Sequence, residues 1–138
     1  MTRWPAIIVC CFFLAGCVTN ERTLYQRLGG EAGVDAIVYQ LLVNIAEDKR
    51  VDHRFRAVDI EKFRQGFVMY ICSIADGGCE YDNDSMRAIH AGHNYTDTEF
   101  NAIVDNLIRA MDAENIDTRT QNALLALLAP TYKDVVYL

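Results

Sequence analysis

The sequence predicts an all-α protein, and three features of its pattern support this prediction. Apolar residues recur at spacings of three and four along several stretches, which places them on one face of a helix. No stretch alternates apolar and polar residues convincingly, as a half-buried β-strand would. Pro5 and Pro130 are the only prolines in 138 residues, so long helices can run without interruption. A chain of this length has room for one compact domain.

The clearest amphipathic helix covers residues 96–111. Thr96 is its predicted N-cap, with Glu99 three residues later as in a capping box. Its apolar face consists of Phe100, Ile103, Val104, Leu107, Ile108 and Met111. A short helical segment from Met86 to His90 precedes it, across a polar break. Because this helix buries one face and a histidine lies just before it, His90 is the first candidate for a functional residue.

The other helices follow from the same pattern and from the residues at their ends. Four segments are predicted, at residues 24–28, 31–47, 60–74 and 117–128, with a short turn at 50–55. Gly29-Gly30 and Gly77-Gly78 end the first and third segments, since adjacent glycines stop a helix and allow a sharp change of direction. Asp59 is the predicted N-cap of the third segment. The last helix continues past Leu128 until Pro130 interrupts it.

The first twenty residues differ in composition from the rest of the chain. Arg3 precedes an apolar run from residue 6 to 14, which is too short to span a bilayer and has the layout of an export signal. A buried N-terminal helix is the alternative. The sequence Leu14-Ala15-Gly16-Cys17 resembles the lipobox of bacterial lipoproteins. That resemblance implies a signal peptide at 1–16, acylation of Cys17, and a tether at 17–23 that holds the protein at the cell envelope.

Charge and cysteine content restrict the compartment and the partners. The chain carries 13 basic and 19 acidic residues, and removing Arg3 with the signal makes it more acidic. No nucleic-acid partner is expected, since such a surface needs clustered Lys and Arg. Beyond Cys17, only Cys72 and Cys79 remain, in what export would make an oxidising compartment. Either they form a disulfide across the turn at Gly77-Gly78, or both are half-buried thiols, because spacing alone does not fix the geometry.

The landmarks of residues 24–136, taken in order, resemble the truncated haemoglobins, specifically the group usually called the first. The residues that carry the resemblance are Leu24, Tyr25, Leu28, Gly29, Gly30, Phe55, Gly77, Gly78, Tyr81, Met86, Arg87, His90, Thr96 and Phe100. The resemblance implies that residues 24–138 form a shortened globin. In that fold, two helices stack on two others and enclose a b-type haem.

By the same resemblance, His90 is the proximal, axial ligand of the haem iron. A neutral imidazole is a good iron ligand, and a carbonyl or carboxylate usually holds its other nitrogen. Without the family pattern, a lone histidine near a helix is more often a partly solvated surface residue. Phe55 matches the aromatic residue that packs against the porphyrin, and Met86 and Tyr95 line the proximal side. His93 falls in the following loop and is expected to face solvent.

On the distal side, the chain departs from the family pattern. An ungapped count from the first glycine pair aligns Leu42 with the tyrosine that typically donates a hydrogen bond to bound ligand. Phe63 and Phe67 fall where the third helix commonly supplies glutamine. An apolar distal pocket is therefore expected, without the donors that stabilise bound oxygen. Tyr70 is the nearest residue that could restore a hydroxyl, and a register with Tyr39 inward is an alternative that the apolar stripe disfavours.

Three classes of function remain open at this point. The first is a haem protein of the cell envelope that reversibly binds diatomic gases (O2, NO or CO). The second is a haem enzyme, either a nitric oxide dioxygenase or a peroxidase, although such chemistry generally needs polar distal groups. The third is a helical lipoprotein without haem. The apolar distal residues favour the first class.

Overall fold

The computed structural model describes residues 21–138. These residues form α1 Leu24–Arg27, α2 Gly30–Glu47, α3 Asp52–Phe55, α4 Ile60–Ile74, α5 Met86–His90, α6 Asp97–Ala113, α7 Thr118–Leu128 and a 3-10 helix, Ala129–Asp134. No β-strand occurs within this described part, where the only extended pairing is a single bridge between Tyr95 and Val136. The predicted all-α class is confirmed.

The N-terminal predictions concern a part of the chain that the structure does not describe. The signal peptide at 1–16, Cys17 and the first residues of the tether all lie outside the described residues. Within 21–138, none of the helices combines the length and the apolar character needed to cross a bilayer.

The helix ends follow the predicted capping residues. Thr96 and Glu99 form the capping box of α6, in which each residue's side chain accepts from the backbone N–H of the other. The side chain of Asp59 accepts from the backbone N–H of Lys62 and caps α4. At the other end of the chain, the last helix is expected to continue past Leu128, but α7 ends at that residue. Pro130 lies in the first turn of the 3-10 helix, where its missing N–H is tolerated.

The core is built around α2, which packs against α6 and α4. The largest fully buried side chains of the core are Leu28, Ile37, Leu41, Ile45, Ile71, Met111 and Leu124. The first turn of α2 passes close to the end of α1 and requires glycine at position 33, because a Cβ on Gly33 would clash with the carbonyl oxygen of Leu28. Leu42, one residue after the buried Leu41, remains half-buried and is free to line a cleft.

Two connections fix the short helix α5 relative to the rest of the fold. Before it, Cys72 and Cys79 form a disulfide, with Cα atoms 5.7 Å apart, between α4 and the loop that leads to Met86. After it, the residues that follow the 3-10 helix pair with the loop between α5 and α6. The backbone N–H of Tyr137 donates to the carbonyl of Tyr95 at 2.9 Å. The orientation of His90 therefore depends on contacts at both ends of α5.

Candidate cofactor site

His90 is the last residue of α5 and has one ring nitrogen committed to the backbone. Its Nδ1 lies 2.7 Å from the carbonyl oxygen of Met86, so Nδ1 carries the proton and donates. Within residues 21–138, Nε2 has no hydrogen-bond partner. Burial lowers the pKa of His90, with the charge of His93 acting in the same direction and the Met86 hydrogen bond opposing it. A neutral imidazole with a free Nε2 is the form that binds a metal.

One aromatic ring from the following loop packs against His90. The Tyr95 ring packs edge-on against the His90 imidazole, with ring centroids 5.5 Å apart. His93 stacks on the same tyrosine at 5.7 Å and is exposed, as the sequence predicted. Met86, expected to line the proximal side, is half-buried and contributes the carbonyl that orients the imidazole.

A continuous row of rings runs along α4. Phe55 packs edge-on against Phe63 at 5.3 Å, and Phe63 lies 5.7 Å from Phe67. The row continues through Tyr70, 6.5 Å from Phe67, to Tyr81, 5.1 Å from Tyr70. All five rings are half-buried. They therefore form a wall that a flat apolar ligand could cover.

Leu42 extends this wall from α2. It is half-buried and packs on the core, as do Phe55 and Phe67. Leu42 and Phe55 also border a groove of about 340 Å³, whose other lining residues are Ile45, Ala46, Asp52, Arg56 and Ile60. The three predicted distal residues, Leu42, Phe63 and Phe67, therefore present only hydrocarbon to their surroundings.

The His90 segment and the ring wall are connected at two places, and we call the region bordered by α5 and the ring wall the cleft. At one end, Arg54, the neighbour of Phe55, lies over the Tyr95 ring with 4.8 Å from Cζ to the centroid. At the other end, the Cys72–Cys79 disulfide and the Tyr70–Tyr81 ring contact hold the loop before α5 against α4.

The residues present fit an iron porphyrin better than a bare metal ion. No group of three or more His, Cys, Asp or Glu side chains that could hold an ion occurs in the described part. A porphyrin brings its own in-plane nitrogens and needs from the protein an axial donor and an apolar cradle. The free Nε2 of His90 and the half-buried ring wall are suited to supply these two.

The sequence leaves two registers of α2 for the distal side, one with Leu42 and one with Tyr39 facing inward, and the structure bears on the second. Tyr39 is 56% exposed and lies under the Arg64 guanidinium, at 5.5 Å from Cζ to the ring centroid. Arg64 in turn forms an ion pair with Asp35. The register with Tyr39 inward is therefore wrong, and Leu42, which packs on the core, stays the predicted distal residue.

A buried ion pair beside the cleft was missed by the sequence reasoning. Glu99, assigned only to a capping box, is 6% exposed and accepts from Nε and Nη2 of Arg54, at 2.5 and 3.0 Å. His53, expected on the polar surface, also donates Nε2 to this carboxylate at 3.1 Å. The Arg54 hydrogen bonds lower the pKa of Glu99 to about 2. No periodic pattern marks two residues 45 positions apart, so this pair has no signal in the sequence.

An all-α fold that places a free imidazole near an aromatic wall is the arrangement expected of a globin. Comparison with known protein families agrees: the bacterial-like globin family matches residues 23–137 of this chain. The chain belongs to the bacterial-like globin family and is a haem-binding globin.

The most informative relatives are group 1 truncated hemoglobins. The one from Tetrahymena pyriformis is 25% identical over 119 residues, covering 86% of this chain and 98% of that protein. Group 1 truncated hemoglobin GlbN of Nostoc commune is 32% identical over 98 residues, covering 67% of this chain and 83% of its own length. The crystal structure of the Tetrahymena pyriformis protein in its Fe(III) form covers 85% of this chain and all of its own, with a TM-score of 0.81 at 25% identity. The Synechococcus 2/2 hemoglobin, in a cyanomet state with covalently attached heme, covers 83% of this chain and 98% of its own, with a TM-score of 0.78 at 26% identity.

Proposed function

We propose that the protein holds a b-type haem through His90 and reversibly binds a diatomic gas beside the apolar residues Leu42, Phe63 and Phe67. The haem, when bound, supplies the metal that binds the gas. The observation that carries the proposal is the state of His90: Nδ1 donates to the Met86 carbonyl, and Nε2 has no partner among the described residues. A hydrogen bond from the other ring nitrogen to a backbone carbonyl is the usual support of a histidine that ligates a metal.

The distal residues determine how strongly each gas is held. Leu42, Phe63 and Phe67 have no hydrogen-bond donor in their side chains, and all three are half-buried. Bound oxygen carries partial negative charge and gains stability from a donor, whereas carbon monoxide depends less on one. With haem bound, the ferrous protein would therefore hold carbon monoxide and nitric oxide, and it would hold oxygen only weakly, because Leu42, Phe63 and Phe67 offer no donor.

The same wall favours gas binding over turnover. Peroxidase and nitric oxide dioxygenase reactions generally need a polar distal group that steers proton or electron flow. Tyr70 is the nearest hydroxyl, and its ring packs between Phe67 and Tyr81 within the aromatic row. Burial raises the pKa of Tyr70, which makes it a poor proton donor at neutral pH.

The proposed location is the cell envelope, with the globin anchored by lipid on Cys17. The support is the sequence Leu14-Ala15-Gly16-Cys17 after an apolar run. Acyl chains on one cysteine give a stable anchor, since each buried methylene contributes about 0.8 kcal/mol. The membrane is then a partner through the anchor alone.

Oxygen dissociation from the ferrous protein tests the proposed pocket. We expect rapid release from the wild type and slower release from Leu42→Tyr, because the phenol adds a donor where Leu42 stands. One hydrogen bond of about 1 kcal/mol corresponds to roughly a fivefold slower rate. Val43→Tyr is the matched control, since Val43 is the exposed neighbour of Leu42 and its replacement leaves the pocket unchanged. Release from the wild type as slow as from Leu42→Tyr would contradict the apolar pocket.

A further inference from the structure

The loop that follows His90 is held by a side chain from a distant helix. Arg54, in α3, donates Nη1 to the carbonyl of His93 at 3.0 Å and Nη2 to the carbonyl of Asn94 at 3.4 Å. Its guanidinium also lies over the ring of Tyr95 at 4.8 Å. One side chain thus contacts three consecutive residues of the segment that begins three residues after His90.

The guanidinium is itself held in a single orientation by Glu99. Nε and Nη2 of Arg54 donate to the two carboxylate oxygens, in the parallel arrangement that Arg alone can make. The Glu99 side chain is only 8% exposed, and the Thr96 backbone N–H and hydroxyl donate to the same carboxylate. Since Glu99 and Thr96 begin α6, the loop residues are fixed relative to both α3 and α6.

The contacts of Arg54 extend to the His90 imidazole through a single residue, Tyr95. Tyr95, under the guanidinium, packs its ring edge-on against His90. Arg54 is also the residue directly before Phe55, which begins the ring wall of the cleft. A movement of α3 would therefore shift both the wall and the loop that carries the neighbours of His90.

Resting on the proposed haem ligation by His90, we propose that Arg54 is a positioning residue for the axial imidazole. It acts through the carbonyls of His93 and Asn94 and through the ring of Tyr95. Without the guanidinium, the carbonyls of His93 and Asn94 lose a donor. The Glu99 carboxylate then keeps only Thr96 and His53, so the loop is held less tightly. The imidazole then has a wider range of orientations towards the iron.

The test compares Arg54→Met with Arg119→Met in the haem-loaded protein. Arg119 is the matched control: it is exposed, lies in α7, and its side chain makes no hydrogen bond or ion pair among residues 21–138. The first readout is the iron–histidine stretching band in the resonance Raman spectrum of the ferrous protein. The second is the rate of haem transfer to excess apomyoglobin. We expect Arg54→Met to shift and broaden the band and to lose haem about tenfold faster, with Arg119→Met matching the wild type in both.

The outcomes separate this inference from the proposed function. A wild type without an iron–histidine band would refute ligation by His90, and the positioning role with it. A normal wild-type band that Arg54→Met leaves unchanged would refute the positioning role alone, even if the variant unfolds at a lower temperature. If Arg54→Met does not fold, Arg54→Lys keeps the charge but cannot bridge the carboxylate and both carbonyls. An unshifted band in Arg54→Lys, with a haem transfer rate equal to that of the wild type, would then overturn the role.

Discussion

Two side chains at the residue scale, His90 and Glu99, illustrate what a sequence does and does not reveal. His90 is predicted as the haem ligand because Met86-Arg87-x-x-His90 resembles the proximal segment of the truncated haemoglobins, and its ligation of iron stays a prediction. The pairing of Glu99 with Arg54 could not, because ion pairs over long separations leave no local pattern. The buried carboxylate is satisfied by several donors, which is what makes its burial tolerable.

The pH dependence of stability tests this ion pair. The pKa of Glu99 lies near 2 in the folded protein, below its ordinary value of 4.5, mainly because Arg54 donates to it. A lowered folded-state pKa gives a stabilising contribution that is complete above about pH 4.5 and is lost as the pH falls towards 2. His53 and Thr96 also donate to this carboxylate, and both residues are kept when Glu99 alone is replaced.

We therefore expect Glu99→Gln to lower the free energy of unfolding at pH 7 and to approach the wild type at pH 3. Denaturant unfolding of both proteins at the two pH values measures the difference directly. A destabilisation of equal size at both pH values would show that the charge of Glu99 contributes nothing.

At the scale of elements, α4 and the turn after it shape the cleft. The bounds of α4 and α6 could be predicted from apolar spacing and from the caps Asp59 and Thr96, because both signals are local. The 3-10 helix and the pairing of Tyr95 with Tyr137 could not be predicted, since they depend on where the tail meets the loop after His90. For the same reason, the sequence left the Cys72–Cys79 disulfide as one of two alternatives.

A pair of glycine substitutions tests the packing of this element. A Cβ on Gly77 would lie 2.5 Å from Sγ of Cys72 and 2.9 Å from the ring of Tyr25, so Gly77→Ala should destabilise the fold by about 1–3 kcal/mol. Gly66 is the control, in the middle of α4 with its nearest contact at 3.9 Å, to Asn83. Gly66→Ala should stabilise by about 0.5–1 kcal/mol, because alanine favours a helix.

Chemical denaturation of the two variants and the wild type gives both values. Stability of Gly77→Ala equal to that of the wild type would mean that the turn after α4 is looser than the structure indicates. A destabilised Gly66→Ala would mean that the space beside α4 is smaller than the structure shows.

At the scale of the whole molecule, the chain combines a globin domain with an N-terminal segment of different character. The globin fold could be predicted because its landmarks extend over residues 24–136, and the family match to residues 23–137 confirms it. The lipid anchor remains a prediction, since Cys17 lies outside the described residues.

Fractionation of cells that produce the full chain tests the anchor. We expect the wild type in the membrane fraction, with acyl chains on Cys17 shown by mass spectrometry. Cys17→Ser should lack the modification and remain unprocessed, because the cysteine is both the cleavage and the lipidation site of a lipobox. Unmodified wild-type protein in the soluble fraction would contradict the anchor.

The most direct test of haem ligation is the absorption spectrum of the ferrous protein, with and without carbon monoxide, in the wild type, His90→Ala and His93→Ala. His93 is the matched control, because it is an exposed imidazole in the next loop. We predict one haem per chain, with a histidine-ligated spectrum that carbon monoxide shifts in the wild type and in His93→Ala, and loss of that signature in His90→Ala. A wild type that takes up no haem, or a His90→Ala spectrum identical to that of the wild type, would contradict the account.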